Sequence, residues 1–329
     1  MGFLRSQLIE TGKLPYPSTS YSGQTIVITG SNTGLGKEAA RHYARLGVKR
    51  LILAVRNLEK GEAAKKDIAT TAAKGVDIQV WEVDMAQPSS IEAFAARVEA
   101  ELDRVDIFHA NAGLVAATYK EARGFGAKGL EMNIAVNYIA THLLAALVLP
   151  KLKSTAAEHS ITPRLVITSS GAHRHTSFPQ KSQPNLLEVI NNNREDAPHW
   201  KEQYPLSKLL GVFALRSIAA EYPSSSYPVI INGVSPGLCH SELSREATGM
   251  QKVAFGVMKT LLARTTEEGS RTLVAAGIAG PESHGQYLED CKVAEPSEVV
   301  THNPDVEKRL WVELKAKLEE IHPGVMNNF

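Results

Sequence analysis

Cysteine is almost absent from this chain: Cys239 and Cys291 are the only two in 329 residues. They are too few for a disulfide framework and lack metal-ligand spacing, so a reducing compartment, the cytoplasm, is the expectation. A charge excess is missing too. The 36 basic and 35 acidic residues nearly cancel, which argues against a nucleic-acid or anionic-membrane partner. The longest apolar run, Leu143 to Pro150 (LLAALVLP), is too short to span a bilayer and reads as a buried helix face. The N-terminal MGFLRSQLIE has no long apolar core or small-residue cleavage site, so no signal peptide is expected. No linker tract or repeat divides the chain. One domain over about residues 23–290 is expected, with an N-terminal extension, 1–22, and a tail, 291–329. In the tail, Asp305 to Ile321 reads as an amphipathic helix for packing or dimer contacts.

What is present is alternation. Strand-like runs at Thr25 to Thr29, Leu51 to Val55, Asp77 to Val83, Asp106 to His109, Arg164 to Thr168 and Pro228 to Val234 are rich in Val and Ile. Helical patterns separate them: Gly36 to Leu46, Leu58 to Ala73, Ser89 to Leu102, Leu130 to Lys153 and Pro205 to Glu221. Apolar strands joined by helices predict an α/β fold: one Rossmann-type, doubly wound parallel sheet with helices on both faces. Sites in such folds lie beyond the C-terminal ends of the strands.

The first strand runs straight into Gly30, Ser31, Asn32, Thr33, Gly34, Leu35 and Gly36, and then a helix. Three glycines permit a tight turn and a close backbone approach, and the helix N-terminus favours a pyrophosphate. Glycines between a first strand and a first helix point to a dinucleotide. An Asp or Glu ending the second strand would read the free ribose of NAD. That strand ends in Arg56 instead, with no acid before Glu59, which favours NADP(H). Asp84, after the third strand, suits either the adenine edge or a cap on the helix near Ser89.

These residues resemble the short-chain dehydrogenase/reductase family. Thr29-Gly-x-x-x-Gly-x-Gly36, Asn111-Ala112-Gly113, Ser170, Tyr204-x-x-x-Lys208 and Pro236-Gly237 occur in that family's order. The Ala-Val-Arg-Asn strand end is similar to retinol-dehydrogenase-like members and fungal secondary-metabolism reductases. The resemblance implies catalysis by Ser170, Tyr204, Lys208 and Asn137, with Asn133 the competing asparagine one turn earlier. It implies cofactor contacts at Asn111, Ala112, Gly113, Tyr204, Lys208, Pro236, Gly237 and Ser241. Three departures stand out. Ala110 replaces the first asparagine of Asn-Asn-Ala-Gly, Ser241 replaces a threonine, and Ser170 lies 34 positions before Tyr204. The extra residues, about 173–203, are expected to border the substrate entrance with some apolar lining from Phe178, Leu186, Leu187, Val189 and Trp200. A substrate loop is expected over about 238–265.

Pro205 fits a first helical turn, placing Tyr204 and Lys208 on one face. Bringing a tyrosine from its ordinary pKa of about 10 to near 7 requires about 4 kcal/mol of phenolate stabilisation. The ammonium of Lys208, the helix N-terminus and a nicotinamide cation are the expected sources. The reading is an NADPH-dependent reductase of a small hydrophobic ketone or aldehyde, or the reverse alcohol dehydrogenase. Two alternatives stay open: a non-catalytic NADPH-binding sensor or scaffold, and an epimerase or dehydratase using the same Tyr-Lys pair. His173, His175 and His199 have no ligand spacing for a metal. Cys239 reads as a small apolar filler.

Overall fold

Short runs of aliphatic residues with both faces covered build the centre of the molecule. The computed structural model describes residues 6–192, 200–240, 243, 260 and 262–329. Its main sheet contains β1 (Thr25–Thr29), β2 (Arg50–Val55), β3 (Asp77–Glu82), β4 (Ile107–Ala110), β7 (Arg164–Thr168), β8 (Ile230–Ser235), β9 (Tyr287–Glu289) and β10 (Lys292–Val293). β5 (Glu121–Ala122) and β6 (Leu130–Glu131) form a separate small antiparallel pair. The main sheet runs β10-β9-β8-β7-β4-β1-β2-β3. Every neighbouring pair is parallel except β9 with β10.

Successive strand residues serve opposite faces, as the pleat demands. Ile26 and Ile28 pack with Tyr43 and Leu273, while Val27 packs with Phe108 on the other face. Helices Gly34–Arg45 and Thr266–Ala276 cover the first face. Helices Pro88–Glu101 and Gln203–Glu221 and the long helix Met132–His159 cover the second. This is the doubly wound sheet expected from the alternation. β1 lies between β2 and β4, so the winding reverses there and opens a crevice at their C-terminal ends.

Details differ from the sequence reading. The helix from Leu58 stops at Ala69, short of Ala73, where the Thr70 and Thr71 hydroxyls bond back to the Asp67 and Ile68 carbonyls. Met132–His159 as a whole is long and apolar enough to cross a membrane, but 89% of its most apolar window is buried inside the protein. It is a core helix. Phe178, Leu186, Leu187 and Ile190, from the extra segment, are core as well rather than pocket lining. The reason is the tail helix Pro304–Ile321 above them, whose Glu313 carboxylate accepts from the Leu186 and Leu187 N–H groups at 2.9 and 2.7 Å.

That tail helix buries Val306, Leu310, Leu314 and Leu318, one every fourth residue, together with Trp311. It packs on Gln203–Glu221, with Arg216 paired to Glu307 at 2.9 Å. Packing is therefore the use the structure makes of this stripe. Leu314→Ala is expected to lower stability by about 2–5 kcal/mol. Urea unfolding checks it, with a lower midpoint at an unchanged slope.

Candidate active site

The crevice at β1 and β4 is held by one hydroxyl. Thr29 Oγ1 accepts from the Asn111 and Ala112 N–H groups at 2.9 Å each and donates to the His109 carbonyl at 3.2 Å. Asn111 Nδ2 donates back to the Thr29 carbonyl at 2.8 Å. The glycine turn lies against this join. A Cβ on Gly36 would sit 2.6 Å from Asn111 Nδ2 and 2.6 Å from the Gly30 carbonyl oxygen, so no larger residue fits. Gly30 and Gly34 have φ of 67° and 59°, which glycine adopts without strain. Ser31 is buried and donates to the Ile28 carbonyl. Asn32, Thr33 and Leu35 form the half-exposed rim of the turn. Thr33 is extended and caps nothing with its side chain, leaving the first N–H groups of Gly34–Arg45 available to an anion. The turn thus has the bare backbone and free donors that a dinucleotide pyrophosphate requires.

Arg56, at the end of β2, is exposed and has no ion-pair partner among the described residues. Asp84 is less available. Its carboxylate accepts from Ala86 N–H at 2.9 Å and from Gln87 Nε2 at 3.3 Å, closing its own turn. Gln87, not Asp84, is the N-cap residue of Pro88–Glu101.

The second cluster forms where β7 ends. Ser170 Oγ accepts from Ala172 N–H at 3.1 Å. The 34 positions between Ser170 and Tyr204 in sequence close to proximity, near enough for Ser170 to oppose the effect of burial on the Tyr204 hydroxyl. Tyr204 and Pro205 lie in the first turn of Gln203–Glu221, and Lys208 is one turn further on. Lys208, only 8% exposed, donates from Nζ to the Thr168 carbonyl at 2.8 Å.

Asn137 lies in a π-helical stretch, Ala135–Ala140, of the long helix, a local widening often found at functional positions. Its Nδ2 donates to the Leu114 carbonyl at 2.9 Å and to Ser207 Oγ at 3.1 Å, and its Oδ1 accepts from Leu114 N–H at 2.9 Å. One lone pair on Oδ1 remains. Asn133 is the other asparagine on this face; its Oδ1 braces Ala116 N–H at 3.0 Å and its Nδ2 donates to Glu131. A Cβ on Gly113 would lie 3.1 Å from Asn137 Oδ1 and 3.6 Å from Lys208 Nζ, so Gly113 adjoins both groups.

Burial pushes Lys208 down to about 8. Burial also raises Tyr204 above its ordinary value, opposed by neighbouring Ser170. Desolvation is the leading cause at both groups, and the Lys208 ammonium is turned to a backbone carbonyl.

Further residues support the site. Of these, Thr168 and Ser235 were not singled out from sequence, although both are hydroxyl residues at strand ends, a position that could have flagged them. His173 donates from Nδ1 to the Ser170 carbonyl at 2.7 Å and accepts from Ser297 N–H at 3.0 Å; burial pushes it down to about 4, so it is neutral. Ser235 Oγ accepts from Gly171 N–H at 3.0 Å and Gly237 N–H at 3.3 Å, linking the Ser170 loop to Pro236-Gly237. Cys239 is buried, with its thiol pushed up to about 12 by desolvation. Ala110 is buried in register with Ile167, so the position of the usual asparagine here belongs to the apolar core. Ser241 and His199 lie outside the described residues.

The short chain dehydrogenase family model matches residues 24–182. A short chain dehydrogenase/reductase of Cryptosporiopsis, dmxR8, is 52% identical over the whole of both chains. The short-chain dehydrogenase anuD of Penicillium roqueforti is 37% identical, over 99% of this chain and 84% of its own. Among solved structures, the short chain dehydrogenase of Shigella flexneri superposes with a TM-score of 0.60 at 21% identity, covering 86% of this chain and 97% of that one. A Beutenbergia cavernae protein, described as an NAD(P)-dependent gluconate 5-dehydrogenase and solved with NADP, gives 0.58 at 22% identity, covering 82% and 96%. This chain belongs to the short-chain dehydrogenase/reductase family of oxidoreductases.

Lys208 supplies a pH signature. Its folded value near 8 lies below the ordinary 10.5, so the unfolded chain holds this proton more tightly. Its contribution to stability is least favourable below pH 8 and improves as pH rises towards 10.5. Lys208→Met is expected to be more stable than the parent at pH 7 by up to about 3 kcal/mol. Denaturation curves across this range check that the difference shrinks as pH rises.

Proposed function

We propose that the protein is an NADPH-dependent carbonyl reductase, or the reverse alcohol dehydrogenase, acting on a small hydrophobic substrate in secondary metabolism. The observation that carries this reading is buried Lys208, whose Nζ meets the Thr168 carbonyl at 2.8 Å beside Gly113 and Asn137, with Tyr204 one turn earlier on the same helix. A bound nicotinamide supplies hydride to the carbonyl carbon. Gly30 to Gly36 hold the pyrophosphate, Arg56 the 2′-phosphate, and Asn111 to Gly113 and Pro236-Gly237 the nicotinamide half, with Ser241 assigned there from the family motif. Ser170 orients the carbonyl oxygen, and Tyr204 gives it a proton.

Lys208 has one of its three donors on Thr168, which leaves two for the nicotinamide ribose and for the proton path. The free lone pair of Asn137 Oδ1 holds a water that returns the proton. The lowering of Tyr204 that protonation chemistry near neutrality needs comes with the cofactor's positive charge in the oxidised state. Relatives named as short chain dehydrogenases support the reaction class, and the NADP in the Beutenbergia cavernae structure supports the cofactor.

Tyr204→Phe removes only the transferable proton. It is expected to leave less than about a tenth of kcat with NADPH still bound, read by stopped-flow turnover and fluorescence titration. Arg56→Ala removes one charge-assisted contact worth roughly 1.5–3 kcal/mol. NADPH affinity should fall by about one to two powers of ten while NADH affinity holds. A parent enzyme that prefers NADH would defeat the assignment of Arg56.

A further inference from the structure

Residues 6–14 run across the turn that follows β8. Gln7, 3% exposed, spends its carboxamide there. Its Nε2 donates to the Leu238 carbonyl at 3.0 Å and the Leu262 carbonyl at 2.7 Å, and its Oε1 accepts from Leu238 N–H at 3.0 Å. One side chain thereby ties Leu238 to Leu262. The same two stretches are bridged by backbone: Arg264 N–H donates to the Leu238 carbonyl at 2.9 Å, and His240 N–H to the Arg264 carbonyl at 3.0 Å.

Arg264 lies beneath, almost wholly buried. Its guanidinium donates to the Ser6 carbonyl at 2.7 Å, Ser6 Oγ at 3.0 Å, Thr11 Oγ1 at 3.1 Å and the Pro236 carbonyl at 3.4 Å, and it pairs with Asp290 at 2.6 Å. Further along, Gly12 N–H donates to Glu268, and the Leu14 carbonyl accepts from Arg271 at 2.8 Å. A buried arginine is tolerated only when so completely bonded, and half of these partners come from residues 6–11.

The turn they hold is Pro236-Gly237. Gly237 has φ of 75°, and a Cβ there would meet Gln7 Oε1 at 2.5 Å and Arg264 Nη1 at 3.0 Å. Glycine at this point lets the N-terminal segment close directly over the backbone.

We propose that residues 6–14 form a strap, with Gln7 and Arg264 as positioning residues, that sets the Pro236-Gly237 turn against the nicotinamide end of the cofactor. The inference rests on the placement of the nicotinamide under Proposed function. Loss of the Gln7 carboxamide leaves half-buried backbone groups of Leu238 and Leu262 without that partner, and the turn relaxes to recover bonds. The adenosine end, held from β1 and β2, keeps its contacts.

The test is binding rather than turnover. The parent protein is titrated calorimetrically with NADPH and NADH, and the tighter dinucleotide is compared with its own adenosine half, 2′,5′-ADP or 5′-AMP. A preference for NADH would defeat the 2′-phosphate reading while leaving the strap to be judged by the same ratio. Gln7→Met is expected to weaken the dinucleotide about tenfold and its adenosine half by less than about twofold. Gln7→Glu, which would turn a carboxylate to two carbonyls, should weaken the dinucleotide at least as much. Ser6→Ala, a milder change at the same strap, shows the same split at smaller size even where a Gln7 variant fails to fold. Equal weakening of both ligands, or no weakening of either, overturns the proposal.

Discussion

The site depends on the close approach of the glycine turn to Asn111. Asn111 Nδ2 donates to the Thr29 carbonyl, and its Oδ1 accepts from Thr168 Oγ1 at 3.2 Å. One amide therefore joins the C-terminal ends of β1, β4 and β7, while the missing Cβ of Gly36 makes room for it. From there the bonds continue. The Thr168 carbonyl receives Lys208, Leu114 bonds Asn137, Asn137 bonds Ser207, and Ser207 Oγ donates to the Tyr204 carbonyl at 2.8 Å. The turn suited to a pyrophosphate and the tyrosine suited to proton transfer are thus parts of one bonded frame. Positioning of this kind is what converts ordinary side chains into an efficient site.

The frame has an energetic cost at its centre. Lys208 is a buried cation with one carbonyl partner among the described residues, and burial displaces its proton affinity by a large margin. Tyr204 is raised rather than lowered. Both shifts have the sign of desolvation, not of mutual attraction. A structural ion pair would have been arranged the other way. Strained electrostatics with satisfied surroundings is the pattern of a functional site.

Much of this was legible in the sequence because it follows from spacing. The aliphatic runs reported the sheet, and the glycines between the first strand and helix reported the turn. Tyr204 and Lys208 reported a shared helix face. Features that depend on contacts between distant segments were not legible. Nothing local to Gln7 reveals that its carboxamide reaches Leu238 and Leu262, and nothing local to Arg264 reveals that Ser6, Thr11 and Asp290 surround it. Phe178, Leu186 and Leu187 looked like pocket lining because the tail helix that buries them lies more than a hundred residues away. Which atoms of Asn137 stay free was not legible either, because Leu114 and Ser207 claim most of its side chain.

The central claim is that this frame carries hydride transfer between a nicotinamide and a carbon–oxygen centre. Isotope transfer tests it most directly. NADPH deuterated at the transferring C4 position is incubated with the enzyme and a panel of aromatic, polyketide-like and terpenoid ketones and aldehydes, and products are read by mass spectrometry. The account predicts an alcohol carrying one deuterium at the carbinol carbon, matched mole for mole by oxidised cofactor. An altered substrate with the label still on the cofactor would indicate epimerase or dehydratase chemistry, and bound NADPH with no reaction across the panel would indicate a sensor. Either result would contradict the account.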